Sequence, residues 1–234
     1  MEILGVIPAR GGSKSIPRKN IVDVAGRPLL HYTCEAARAS ATITRVMLST
    51  DDAEIAAVGK AAGVDTPFLR PAALGADDTG MVEVLIHVLG ELEGREGYRP
   101  DAVVLLQPTS PFRRAEHIDG AVRTLLETGA ESVVSVVDVP HQFNPVSVMK
   151  VTDGRVVPFW EGPLILRRQD KPRLYARNGP AVVVTRRRTL LDGKSLYGDD
   201  CRPYPMTHED SLDIDSPFDL EVARLLLVAR KAAV

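Results

Sequence analysis

The sequence predicts an α/β protein built on a doubly wound, mostly parallel sheet. Short, continuously apolar runs rich in β-branched residues recur along the chain, which is typical of strands buried on both faces of a parallel sheet. Segments with helical spacing of apolar residues lie between these runs up to about residue 138. This alternation of strand and helix favours right-handed crossovers that place helices on both faces of the sheet.

The predicted elements follow from these patterns in chain order. The clearest strand candidates are residues 3–8, 45–49, 102–106, 132–137 and 181–184. The helix candidates are residues 28–40, 52–62, 79–92 and 114–128. A last helix begins at Ser216-Pro217, because proline suits the first helical position. The alternation of strands and helices therefore assigns most of the chain to one sheet and the helices that cover it.

The rhythm breaks between Pro140 and Pro180, where prolines and glycines interrupt short alternating pieces. Asp153-Gly154 is typical of a hairpin turn. Phe159 and Trp160 are among several apolar side chains here that favour packing against another surface. We predict a single domain over residues 1–234 with residues 140–180 as an inserted hairpin arm, which either covers a site or grips a second subunit.

Composition excludes several classes of protein. With 44% hydrophobic and 26% charged residues, the 234-residue chain is typical of a globular protein. Its 29 Lys and Arg against 31 Asp and Glu leave a net charge of −2, so we expect no nucleic-acid partner and no membrane partner. Two cysteines without C-x-x-C spacing suit a reducing compartment. No apolar stretch approaches the ~20 residues that span a bilayer, so we expect a cytoplasmic protein.

A cationic loop follows the first predicted strand, at the sheet edge where open α/β sheets bind ligands. Its four cationic side chains are Arg10, Lys14, Arg18 and Lys19. Gly11 and Gly12 allow the backbone to approach an anion closely. Neither G-x-G-x-x-G nor the P-loop motif aligns here, so the loop gives no support for a dinucleotide-binding fold or for a P-loop ATPase. The pattern predicts a cradle for a triphosphate.

A pair of carboxylates near the C-terminus predicts a metal site. Asp213 and Asp215 flank Ile214, and on a strand this two-residue spacing would direct both carboxylates to one face. Carboxylate oxygens of this kind suit Mg²⁺, which keeps several waters and also binds substrate phosphates. We therefore predict that Asp213 and Asp215 lie on a strand and hold Mg²⁺.

Several motifs resemble one family when taken together. They are Arg10-Gly-Gly-Ser-Lys14, Pro17-Arg-Lys-Asn20, Ser49-Thr-Asp51, Leu69-Arg-Pro71, Leu106-Gln-Pro-Thr-Ser-Pro-Phe-Arg113 and Leu212-Asp-Ile-Asp215. In this order they resemble the acylneuraminate cytidylyltransferases (CMP-sialic acid synthetases), which activate acidic sugars. The resemblance covers residues 3–220, nearly the whole chain.

The resemblance implies a Rossmann-like nucleotidyltransferase fold and a reaction. CMP would pass from CTP to the anomeric hydroxyl of a nine-carbon acidic 2-keto sugar, of sialic or legionaminic acid type, with Mg²⁺ and release of pyrophosphate. The implied catalytic residues are Arg10, Lys19 and Asp215. The implied nucleotide-binding residues are Ala9, Gly11, Gly12, Ser13, Asn20 and Arg70. The implied acceptor-binding residues are Gln107 and Arg177, and the implied metal ligands are Asp213 and Asp215.

Two alternatives remain open at this point. The acceptor could be an eight-carbon keto acid, a phosphonate or a sugar phosphate, because no residue separates Arg177 from Asn178 where the family has one. The chain could also be a non-catalytic nucleotide-binding regulator, although a pure binder needs no metal-organising carboxylates. The apolar arm, together with the habit of the family, predicts a homodimer.

Overall fold

A seven-stranded sheet forms the centre of the computed structural model, which describes residues 1–163 and 165–232. The strands are β1 (Ile3–Pro8), β2 (Asp23–Val24), β3 (Arg27–Pro28), β4 (Arg45–Ser49), β5 (Ala102–Leu105), β6 (Ser132–Asp138), β7 (Met149–Thr152), β8 (Arg155–Pro158), β9 (Tyr175–Arg177), β10 (Val183–Arg186) and β11 (Cys201–Met206). The order in the central sheet is β11-β6-β10-β5-β1-β4, and β9 also pairs with β6. β1 runs parallel to β4 and β5, and β11 parallel to β6, whereas β10 and β9 are antiparallel to their neighbours.

Helices cover both faces of this sheet. They are α1 (Leu29–Ala39), α2 (Ala53–Ala61), α3 (Met81–Glu96), α4 (Ala115–Thr128), α5 (Arg187–Leu191) and α6 (Pro217–Ala232). On one face, α1, α2 and α4 pack residues such as Leu30 and Ile118 against Val104. On the other, α3 and α5 pack Leu85 and Leu190 against the neighbouring strand positions. The predicted mostly parallel α/β fold is confirmed, since five of the seven strands of the central sheet, β4, β1, β5, β6 and β11, run in one direction. Alternate residues of these strands enter the two apolar layers.

A third, smaller apolar cluster lies outside these two layers. It joins Ile16 of the cationic loop, Phe112, Ile214 and residues of α6 such as Leu220. Ile214 is fully buried there. Burial of these side chains together brings the cationic loop and the acidic segment to the same edge of the sheet, although about 200 residues separate them in the sequence.

The strand predicted for Asp213 and Asp215 is wrong. Residues 207–216 form turns and extended chain without strand pairing, and the last strand is β11, which ends at Met206. β11 escapes prediction because Pro203 and Pro205 argue against a strand. The prolines are tolerated because β11 is an edge strand that pairs with β6 alone.

The predicted hairpin forms in the arm. β7 and β8 pair antiparallel, and Asp153 (φ 52°) and Gly154 (φ 72°) take the left-handed conformations of a tight turn between them. The last part of the predicted arm differs, since β9 pairs with β6 and so belongs to the main sheet. In the described ranges, no helix has the length and apolar character needed to cross a membrane.

Candidate active site

A cavity of about 410 Å³ opens where β1 and β5 end. The residues that sequence reasoning singled out and that line it are Arg10, Gly12, Ser13, Lys14, Lys19, Asn20, Arg70, Gln107 and Asp215. They come from four separate stretches of the chain. The cationic loop and Gln107 meet because the carboxyl ends of the parallel strands β1 and β5 lie at one edge of the sheet. Asp215 reaches the same edge through the burial of Ile214 beside Ile16.

Arg10 and Lys14 share one carboxylate inside this cavity. Arg10 Nη1 and Lys14 Nζ each lie 2.6 Å from an oxygen of Asp77. The hydrogen bonds from Lys14 and Arg10 hold the pKa of Asp77 below its ordinary value. Sequence reasoning missed Asp77 as part of the site, because nothing in its local pattern links it to a loop more than sixty residues earlier. The cations thus face a negative group in the free protein.

Lys19 connects the cationic loop to the acidic segment. It begins a 3-10 helix (Lys19–Ile21), and its Nζ donates to the backbone oxygen of Ile214 at 2.8 Å. The same Nζ lies 3.2 Å from Asp215 Oδ1. Lys19 therefore sets the position of Asp215 at the cavity wall.

Arg18 faces away from the cavity. Its guanidinium pairs with Asp52 and, at 2.5 Å, with Glu54. The hydrogen bond from Arg18 lowers the pKa of Asp52 to about 2. Asp52 also caps α2 by accepting the backbone N–H groups of Glu54 and Ile55. Arg18 therefore fixes the loop to α2, and the cations of the cavity wall are Arg10, Lys14, Lys19 and Arg70.

Ala9 and Gly11 do not line the cavity, and their backbone N–H groups instead hold the start of the cationic loop against the end of β4 and the segment that follows it. The Ala9 N–H donates to the Ser49 oxygen at 2.9 Å, and the Gly11 N–H donates to Asp51 Oδ1 at 3.2 Å. A Cβ on Gly11 would lie 2.7 Å from Asp52 Oδ2. Gly11 is thus required for close packing against Asp52, whereas Gly12, with open space around it, is the glycine that an anion can approach.

Arg70 is a buried cation with unused hydrogen-bond donors. It is 4% exposed, and its contact with Asp51 is long, at 3.4 Å from Nη2 to Oδ1. Its Nε and Nη1 are buried and have no hydrogen-bond partner among the described residues. Burial lowers the pKa of Arg70. Because a buried unsatisfied donor is costly, these atoms indicate a place prepared for a ligand acceptor.

The acidic pair fits a divalent cation. Ile214 anchors it, since its N–H donates to the Thr109 oxygen at 2.9 Å and its side chain is buried. Burial, with the nearby charge of Asp215, raises the pKa of Asp213. Asp213 does not line the cavity, and its buried Oδ1 has no hydrogen-bond partner among the described residues. In the part of the chain that the structure describes, no cluster of three or more His, Cys, Asp or Glu forms a metal site. Two carboxylates suit Mg²⁺, whose other ligands are water and phosphate.

Two buried polar residues that sequence reasoning missed hold the acidic segment in place. Asp210 accepts hydrogen bonds from Arg114 Nη1 at 2.6 Å and from Thr207 Oγ1 at 2.8 Å. Asn178 accepts from Ser135 Oγ at 2.7 Å and donates to Ser211 Oγ at 2.8 Å. Asp210 lies between Glu209 and Ser211, and Asn178 between Arg177 and Gly179, so their neighbours in the sequence give no sign that they are buried.

The two predicted acceptor residues are placed differently. Gln107 lines the cavity directly after β5. Arg177 does not line it, because its guanidinium lies 5.0 Å from the ring centre of Tyr197. The structure therefore brings Gln107, but not Arg177, to the other site residues within one chain.

A sheet with a cationic loop after its first strand, and with Asp215 beside that loop in the same cavity, is the arrangement of a nucleotidyltransferase. A family model described as Cytidylyltransferase matches residues 4–227. The chain belongs to the cytidylyltransferase family and is an enzyme of that family, as its resemblance to acylneuraminate cytidylyltransferases predicts.

Three comparisons describe its relatives. The chain is 33% identical to a CMP-N,N'-diacetyllegionaminic acid synthase of Legionella pneumophila, with 100% of both chains covered. It is also 33% identical to an N-acylneuraminate cytidylyltransferase of Escherichia coli over 95% of this chain, which spans 51% of that protein. A solved CMP:2-keto-3-deoxy-manno-octonic acid synthetase in complex with CTP has the same fold, with a TM-score of 0.76 and 19% identity over 98% of this chain and 100% of that one.

Proposed function

We propose that this enzyme transfers CMP from CTP to the anomeric hydroxyl of an acidic nine-carbon 2-keto sugar, of sialic or legionaminic acid type, and releases pyrophosphate. One observation carries the proposal. A single cavity is lined by four cations, namely Arg10, Lys14, Lys19 and Arg70, and also by Asp215 and by Gln107, which follows β5. The name of the full-length Legionella pneumophila relative supports this class of acceptor.

The residues of the cavity suit displacement at the α-phosphate. Arg10 and Lys19 would neutralise the triphosphate and the departing pyrophosphate, because phosphoryl-type transfer depends mainly on positioning and charge stabilisation. The unused donors of Arg70 and the amide of Asn20 would bind the cytidine part, with the backbone of Gly12 and Ser13 beside the phosphates. Asn20 is already held by a 2.9 Å hydrogen bond from Nδ2 to the Arg10 oxygen.

Asp213 and Asp215 would hold Mg²⁺. When bound, Mg²⁺ supplies a positive charge beside the α-phosphate. Asp215, at 76% side-chain exposure, is the carboxylate that can reach the acceptor hydroxyl and take its proton. Gln107 would orient the acceptor by donating from its side-chain amide. We also propose that the enzyme works in the cytoplasm, because Cys34 and Cys201 are both free thiols.

The test is an assay of pyrophosphate release. CTP, UTP, GTP and ATP are each combined with Mg²⁺ and with sialic, legionaminic and pseudaminic acids, an eight-carbon keto acid, a phosphonate and a sugar phosphate. We expect release with CTP and a nine-carbon acid. Release only with another acceptor would overturn the acceptor assignment, and tight CTP binding without release on any acceptor would show a regulator.

Replacing Asp77 by Asn should strengthen the binding of CTP in the absence of metal. The variant removes the carboxylate that Arg10 and Lys14 bind in the free protein, so the triphosphate no longer has to displace a competing negative charge. Because Asp77 is 46% exposed, we expect a gain of about 2- to 5-fold, in the range of an exposed ion pair. Titration calorimetry measures it, with Asp78→Asn as the control, since Asp78 does not line the cavity. Equal or weaker CTP binding by Asp77→Asn would contradict this account.

We propose that the chain is a homodimer joined through the arm. Both strands of the hairpin expose apolar side chains, with Val151 at 74% and Val156 at 64% exposure, and Trp160 follows them. An exposed apolar patch of this kind favours an interface. Light scattering at micromolar concentration should give twice the chain mass of 25.4 kDa. We expect Val151→Glu to give the single mass and Lys150→Glu, at the adjacent position, to change it less. A monomeric wild type would refute the dimer.

A further inference from the structure

A buried arginine lies beneath Gln107. Arg113 is 3% exposed and stands between β5 and α4. Its Nη1 donates to two backbone oxygens, that of Gln107 at 3.0 Å and that of Ala181 at 2.8 Å. Its Nη2 donates to the hydroxyl of Thr33 on α1. One side chain therefore ties together three segments of the fold.

The partners of Arg113 are unusual for a buried charge. All three are neutral oxygens, and among the described residues no carboxylate forms an ion pair with this guanidinium. Burial lowers the pKa of Arg113, and the charge of Asp213 offsets this only in part. A buried charge without an ionic partner costs several kcal/mol, so an apolar side chain of similar size would stabilise the core more cheaply. Arg113 is therefore poorly explained as packing alone, and its two carbonyl contacts indicate what it does.

Those carbonyls belong to residues just outside two strands that pair with each other in the central sheet. Gln107 follows β5, and Ala181 precedes β10. The Gln107 N–H also donates to the Pro180 oxygen at 3.3 Å. The N–H of Gln107 is thus bonded directly to the segment before β10. Its carbonyl oxygen is connected to the same segment through Arg113. The side chain of Gln107 takes no part in these backbone contacts, and Gln107 lines the cavity.

We propose that Arg113 is a positioning residue that clamps the backbone of Gln107 to that of Ala181 and so directs the Gln107 amide at the acceptor. The inference rests on the proposed function, which gives Gln107 its contact with the acceptor sugar. A guanidinium suits this task because its planar fork reaches two carbonyls and a hydroxyl at once, whereas a lysine ammonium is a point charge on a flexible stem.

The test separates the acceptor from the nucleotide. Arg113→Lys keeps the charge and loses the fork, so we expect KM for the acceptor to rise about tenfold while KM for CTP changes less than twofold. The control is Arg186→Lys, because Arg186 also donates to two backbone oxygens, those of Ala130 at 2.7 Å and Leu125 at 3.5 Å, far from the cavity. It should lower the melting temperature without changing KM for the acceptor.

A double-mutant cycle with Gln107→Ala decides whether Arg113 acts through Gln107. We expect Arg113→Lys to have no further effect on kcat/KM for the acceptor once Gln107 is truncated. Additive effects, or equal changes in both KM values, would overturn the positioning role while the wild type remains active. If Arg113→Lys does not fold, Arg113→Gln replaces it, and failure of both to fold would assign Arg113 to stability alone. A wild type without turnover on any sugar would overturn the proposed function, and this inference with it.

Discussion

Asp215→Asn should abolish turnover while CTP still binds. We expect a loss of about 10³-fold in kcat, since the variant keeps the shape of the side chain and removes a charge that acts on the reacting groups. CTP affinity without metal should change only a few-fold, because the cations that face the triphosphate stay in place. Pyrophosphate release and titration calorimetry measure the two quantities on the same preparation.

The control for Asp215→Asn is Glu209→Gln. Glu209 lies in the same segment, its side chain is 85% exposed, and its ion pair with Arg230 is long, at 3.9 Å. Its substitution should leave turnover within about twofold, as is usual for exposed positions. Full turnover by Asp215→Asn would remove this carboxylate from the mechanism and leave Asp213 to account for metal binding.

Lys19→Met should impair both nucleotide binding and turnover. The variant removes a cation from the cavity and leaves the Ile214 oxygen without its 2.8 Å hydrogen bond, so the acidic segment loses its connection to the loop. We expect kcat/KM for CTP to fall by 10²- to 10³-fold, the order of effect seen when one preorganised charge contact is lost. Affinity for inorganic pyrophosphate should fall about tenfold.

Lys14→Met is the matched control for Lys19→Met. The two lysines belong to the same loop and line the same cavity, but the side chain of Lys14 is 82% exposed whereas that of Lys19 is 14% exposed. Solvent screens the exposed charge, so Lys14→Met should reduce kcat/KM less than tenfold. If Lys14→Met were as damaging as Lys19→Met, the bridge from Lys19 to the acidic segment would not be the reason for the loss.

Local patterns in the sequence sufficed for most of the sheet and its helices. The predicted helices correspond to α1, α2, α3, α4 and α6, each within a few residues of its observed bounds. Periodicity works here because burial on one face of a helix, or on both faces of a strand, leaves a mark within ten residues. It failed at β11, where edge position tolerates two prolines, and at residues 212–215, which take an extended course without pairing.

The reach of local patterns also limits what the sequence predicts about the candidate site. The sequence by itself determined the chemistry: cations after the first strand, carboxylates flanking an apolar residue near the end, and the order of the motifs that resemble the family. Only the tertiary structure decided which charges work together, because each partner comes from a distant segment. Arg18 turns to Asp52 and Glu54, Arg10 and Lys14 meet Asp77, and Arg177 stacks on Tyr197 away from the cavity. Long-range packing sets these pairings, as the cluster around Ile214 does for the contact of the cationic loop with the acidic segment, and no local pattern records it.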